Sequence, residues 1–150
     1  PLDKRYMYTQ GWYHVLRRFD RVTSQVVVLY QPTATDRFGG LTLTTFVVQH
    51  GSVPVIAFRV NDFAYLTDVN GIPPEAEKHL FGLKTLVLDA VRYRPHPNHF
   101  HFEKALEVAA HLGAETTYFT HLSHDYDHDK TEAELPAHIR LAYDGLRIRV

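Results

Sequence analysis

From Gln25 onward the chain carries a series of short apolar runs rich in β-branched residues, which commit much of it to a sheet. Gln25–Tyr30 (QVVVLY) is the first; Leu41–Val48 (LTLTTFVV) and Val53–Val60 (VPVIAFRV) are longer. Phe63–Thr67 (FAYLT) follows Asn61-Asp62, a two-residue hairpin signal. Thr85–Leu88 (TLVL) and Glu115–Thr120 (ETTYFT) read as short buried strands, and Ile139–Tyr143 and Leu146–Val150 flank a second hairpin signal, Asp144-Gly145. Helices fall between these runs. Gly11–Phe19 reads as a short helix, and Pro73–Phe81 opens with prolines that suit a first helical turn. His101–Leu112 (HFEKALEVAAHL) has Phe102, Leu106, Val108, Ala109 and Leu112 at helical spacing, Gly113 as its stop and Asn98 near its start as a candidate cap. Pro32–Gly40 reads as a loop. A mostly β first part followed by alternating strand and helix predicts an α/β fold with a mixed sheet.

Composition narrows the functional classes. The length of 150 residues fits one domain. Sixteen Lys+Arg against 17 Asp+Glu give a formal charge of −1, which offers no support for a basic nucleic-acid binder. There is no cysteine, so a disulfide scaffold and every thiolate metal site are excluded. Any metal must be held by His, Asp or Glu. No apolar run approaches the ~20 residues that span a bilayer, and Pro1–Gln10 has no signal-peptide core. No membrane partner is expected, and the expected setting is the cytoplasm.

Histidine is the outlier. Eleven occur, and seven of them lie between His96 and His128. Histidine is the commonest protein metal ligand and titrates near neutrality. Four ligand-type residues close apolar runs: His50 follows LTLTTFVV, Asp68 follows FAYLT, Asp89 ends TLVL, and His121 follows TTYFT. In α/β sheets the carboxyl ends of strands are where ligands bind, and the rigid backbone there suits a metal. Taken singly, a His or Asp after a strand is more often a turn residue; the fourfold repetition weakens that reading.

Two other segments concentrate ligands. His96-Pro-Asn-His99-Phe-His101 precedes the clearest helix, either as a rigid loop of solvated histidines or with a histidine turned into a cleft. His121-Leu-Ser-His124-Asp-Tyr-Asp-His128-Asp would put His121, His124 and His128 on one face if it were helical, and would otherwise be an exposed polar loop. Arg92 and Arg94 read as surface charges, and Trp12, Tyr13 and Phe19 as core. No Walker loop, Rossmann glycine fingerprint, nucleophile elbow or His-Glu-x-x-His is present.

Taken together, Gln49-His50-Gly51, FAYLTDVNGIPPEA (63–76), LKTLVLDA (83–90), HPNHFHFEKALEVA (96–109), TYFTHLSHD (117–125) and AYDGLRI (142–148) resemble, in order, the C-terminal half of a metallo-β-lactamase-fold hydrolase. The branch they resemble most is the phosphoribosyl cyclic phosphate phosphodiesterase group. The resemblance implies that residues 1–150 form a single partial domain, the C-terminal half of an αββα sandwich, with a mixed sheet and helices on one face. It implies His50 and His121 as metal ligands and Asp68 as the carboxylate bridging two divalent metals, zinc or manganese. His99 becomes an active-site histidine that contacts the phosphate or leaving group, and Asp89 and His124 become supporting residues. The implied reaction is hydrolysis of a small phosphodiester by metal-activated hydroxide.

The same resemblance exposes a gap. The family's His-x-His-x-Asp-His signature, which carries the other ligands, lies N-terminal to these segments and is not in this chain. His99-Phe-His101 lacks the following Asp-His. The chain is therefore expected to be a fragment, a natural half, or one member of a complex, with little activity alone. Half a sandwich leaves an apolar sheet face open, so pairing with the missing half or with a second copy (a homo-oligomer) is expected. The competing readings are a non-catalytic scaffold that keeps half the fold, and a metal-binding module built only on the His121–Asp129 segment.

Overall fold

The computed structural model describes residues 17–20, 25–28 and 33–149. Strands β1 (Arg17–Asp20) and β2 (Gln25–Val28) form a small antiparallel pair. Everything else is organised by one seven-stranded sheet with strands in chain order: β3 (Ala34–Phe38), β4 (Leu41–His50), β5 (Val53–Val60), β6 (Phe63–Leu66), β7 (Thr85–Asp89), β8 (Thr116–Thr120) and β9 (Ile139–Leu141). Strands β3 to β6 are antiparallel neighbours; β6 to β9 are parallel.

Local chemistry explains the switch. Gly39-Gly40, Gly51-Ser52 and Asn61-Asp62 each close a two-residue turn, with φ of 60° at Gly39, 62° at Gly51 and 52° at Asn61. Tight turns can only join antiparallel strands; parallel neighbours need crossovers. The crossovers carry α1 (Pro74–Glu77), α2 (Phe102–Leu112) and α3 (His128–Glu134). Helix α2 ends at Gly113 in the left-handed region, φ 64°, where its N–H reaches the Ala109 carbonyl.

Because side chains alternate along strands, the sheet has two unlike faces. Phe46, Val48, Leu66, Leu86, Leu88 and Phe119 are buried together with Leu80 beyond α1 and with Ala105, Ala109 and Leu112 of α2. The register puts Val47, Ile56, Phe58, Tyr65 and Tyr118 on the opposite face, where all five are only half-buried.

Several sequence expectations need correction. The loop expected at Pro32–Gly40 contains β3, because Ala34–Phe38 pairs along the free edge of β4. Most of the helix expected over Gly11–Phe19 lies outside the described residues, but Arg17–Phe19 is strand, paired with Val26–Val28. Residues 29 and 30 of the first β run also lie outside them. The helix expected to Phe81 is regular only to Glu77; His79 and Leu80 continue with tighter bonds to Ala76 and Glu77. Asn98 does not cap α2; His101 takes that position without a side-chain bond. The hairpin at Asp144-Gly145 turns, with Leu146 bonded back to Tyr143, but no strand follows over 146–149. Strand β9 instead pairs in parallel with β8, which leaves the turn nothing to extend.

Candidate metal centre

The topology brings the four strand ends together. β4 and β6 run the same way because β5 is antiparallel to both, and β7 and β8 are parallel to β6. The C-terminal ends of all four therefore lie at one edge. His50 is the last residue of β4 and Asp89 the last of β7, while Asp68 and His121 lie just past β6 and β8. Asp68 and His121 both hold positive φ, 57° and 61°. For a residue with a Cβ that conformation costs about 1–2 kcal/mol, and such strain collects at functional sites.

Donor atoms of His50, Asp68 and His99 lie within 4.8 Å of one another, and so do those of Asp89, His99 and His121. The imidazoles are contiguous: ring centroids are 4.5 Å apart for His50–His99 and 4.7 Å for both His99–His121 and His96–His99. His121 Nδ1 stands 3.8 Å from Asp68 Oδ1, 3.8 Å from Asp89 Oδ1 and 3.4 Å from Thr67 Oγ1. Thus His50, Asp68, His99 and His121 converge.

Hydrogen bonds orient the rings. His50 Nδ1 donates to the Asn98 carbonyl at 2.8 Å, since a carbonyl can only accept, and Nε2 keeps its lone pair. His99 Nδ1 donates to Asp89 Oδ2 at 2.7 Å, again leaving Nε2 free. Asp89 Oδ2 also accepts from Val69 N at 3.0 Å. This carboxylate is fully buried, yet its other oxygen, Oδ1, has no hydrogen-bond partner. An orphaned oxygen on a buried acid is costly, and a cation beside it would offset that cost. His and carboxylate donors without thiolate suit zinc or manganese. The donor set therefore fits a divalent metal. His96 is pulled below the ordinary histidine pKa, first by desolvation and then by its neighbours His99 and Arg92.

The other candidate segment does not form a site. Residues 121–127 are not helical and α3 starts only at His128, so His121, His124 and His128 share no face. The His124 side chain is 98% exposed, and neither it nor His128 belongs to a ligand cluster among the described residues. Arg92 is tied to the carbonyls of Arg94 and Pro95, a structural use. Sequence reasoning overlooked Asn70, whose side chain bonds Gly51 N and Pro97 O; the Asn-Gly pair after Asp68 was its only signal.

Comparison with known proteins is decided by residues 6–122, which match the beta-lactamase superfamily domain. The chain belongs to that superfamily. It has the metallo-β-lactamase fold and falls in the PhnP-like branch. A diphosphatase of the PhnP family superposes with TM-score 0.74 at 40% identity, covering 77% of this chain and 46% of that one. Zinc-bound PqqB from Methylobacterium extorquens gives TM-score 0.60 at 13% identity over 78% of this chain and 53% of that one, a likeness of fold. An octanoyltransferase from Porphyromonas gingivalis is 30% identical over 118 residues, 77% of this chain but 24% of that protein. The superfamily chain thus spans about half the length of the two structures and about a quarter of the octanoyltransferase. No helix among the described residues is long and apolar enough to cross a membrane.

Proposed function

We propose that this chain is the metal-holding C-terminal half of a hydrolase that cleaves small phosphodiesters, with His50, Asp68 and His121 as ligands and His99 contacting the phosphate or leaving group. The observation that carries it is the convergence of donors from four strand ends within 4.8 Å sets, beside a buried carboxylate oxygen with no partner. A divalent cation there would supply Lewis acidity and a hydroxide nucleophile near neutral pH. The chain's own residues do the rest. Asp89 accepts from His99 Nδ1 and so orients that ring; with Nε2 protonated as well, His99 would donate to an ester oxygen. The Asn98 carbonyl accepts from His50 Nδ1 and leaves the Nε2 lone pair of that ring for a metal. A polar cleft of about 330 Å³, lined by Thr120, His121, Leu122, Ala142, Tyr143 and Asp144, opens beside His121 and offers room for the organic part of an ester.

The ligands named here are too few for two metals, so the remaining donors are supplied by further polypeptide, the N-terminal half of the sandwich or a second copy. The half-buried apolar face on Val47, Phe58 and Tyr65 supports such a partner. Sedimentation tests this: a stable monomer that binds no hydrophobic dye would refute it. Calorimetric titration of zinc and manganese into the chain tests the centre. Weak binding that disappears in His50→Ala and Asp68→Ala supports it; unchanged binding in both rejects it. Turnover of bis(p-nitrophenyl) phosphate with manganese should be near background for the 150 residues alone, and robust His99-dependent turnover would contradict the half-site reading.

A further inference from the structure

Three of the loops at the candidate metal centre are tied together by one side chain. Asn70, two residues past Asp68, accepts a hydrogen bond from Gly51 N at Oδ1 (2.8 Å) and donates from Nδ2 to the Pro97 carbonyl (2.7 Å). Its backbone N–H donates to the Gln49 carbonyl at 2.8 Å. The partners fix the amide's orientation, because an N–H demands the oxygen and a carbonyl demands the NH2. Gln49 and Gly51 flank His50. Pro97 precedes Asn98, whose carbonyl holds the His50 ring, and His99 comes next.

We propose that Asn70 is a positioning residue of the centre, holding the His50 ring and the 96–99 loop in register with Asp68. What that register serves rests on the metal reading; the linkage itself does not. A ring held by one carbonyl is oriented only as well as that carbonyl. Asn98 presents its carbonyl from a loop with no regular strand or helix, and Asn70 anchors the peptide before it. The contact is tight from the other side too: a Cβ at Gly51, which has φ 62°, would fall 2.4 Å from Asn98 Oδ1. Deleting the Asn70 side chain frees Gly51 N and Pro97 O at once. It spares the main-chain bridge between Gln49 and Gly71, so the fold has no reason to fail.

The experiment is NMR of the metal-free 150-residue chain, followed by zinc titration. In Asn70→Ala the Gly51 amide should exchange with solvent at least tenfold faster, and the downfield His50 Nδ1 proton should be lost. Zinc affinity should drop tenfold to a hundredfold, the usual cost of removing a group that orients ligands. Asn70→Asp keeps the acceptor for Gly51 and lacks the donor for Pro97, so it should keep Gly51 protected and still lose the His50 proton. It also carries the test if Asn70→Ala does not fold. His111→Ala, away from the centre, should change none of these signals. A folded Asn70→Ala with the His50 proton intact, or with wild-type zinc affinity, overturns the proposal. Wild-type chain that binds no zinc, yet loses the His50 proton in both variants, overturns the metal reading and leaves the linkage standing.

Discussion

Two groups of histidines occupy this chain, and they differ in what places them. His50 and His121 are 71 positions apart in sequence, yet each has its ring centroid within 4.7 Å of the His99 ring. His121 and His124 are three positions apart, and the second turns out to solvent. Proximity at the site is thus set by strand direction and register across the sheet, not by spacing along the chain. The dense segment after β8 looks like a site in one dimension and is a surface turn in three.

The sharpest way to break this contrast is metal affinity. His121→Ala should weaken zinc binding by a hundredfold or more, about 2.8 kcal/mol at 1.4 kcal/mol per decade, whereas His124→Ala should leave it unchanged. Equal losses in both, read by competition with a chromophoric chelator, would restore the local segment as a metal module.

A smaller effect should have the opposite sign. Asp68 and His121 hold left-handed backbone that a glycine adopts freely. Against a strain of about 1–2 kcal/mol, glycine's greater unfolded-state entropy takes back about 0.5–1 kcal/mol. Asp68→Gly and His121→Gly should therefore raise metal-free stability by up to about 1 kcal/mol in urea melts while abolishing zinc binding. His124→Gly, with no positive φ to relieve, should not stabilise. Destabilisation by both site variants would show that the strand tips carry no stored strain.

Much of this was legible in the sequence, for reasons that differ by residue. Strong local signals survived: the β-branched runs of β4 and β5, the Asn61-Asp62 turn, and Gly113 as a helix stop. The convergence of His50, Asp68, Asp89 and His121 was suggested by their repeated place at strand ends, a regularity that becomes proximity once those strands run the same way, whereas the part of His99 came from the family resemblance. Failures came where a tertiary partner decided the outcome. Strand β3 has the polar sequence ATDRF and is a strand because β4 offers a free edge. Residues 146–149 have a strand-like pattern and no strand partner among the described residues. Asn70 was overlooked because its partners, the Gly51 N–H and the Pro97 carbonyl, are backbone groups that no side-chain pattern announces.

The smallest effect concerns a histidine that belongs to neither the cluster nor the surface. His79 stacks on Phe46 with ring centroids 5.4 Å apart, and its Nε2 is buried without a hydrogen-bond partner. Burial pushes its pKa below the ordinary histidine value of 6.5, helped by the charges of Lys78 and Arg59. Between the lowered folded value and the unfolded one, the unfolded chain binds more protons, so stability rises with pH through that window. The contribution is fully present above about 6.5 and is lost as pH falls through the folded value. His79→Phe keeps the stack on Phe46 and removes both the orphaned nitrogen and the titration. Its stability, followed by thermal melts from neutral to mildly acidic pH, should fall less steeply on acidification than that of the parent chain. Parallel curves for the two proteins would mean that His79 accepts its proton without cost to the fold.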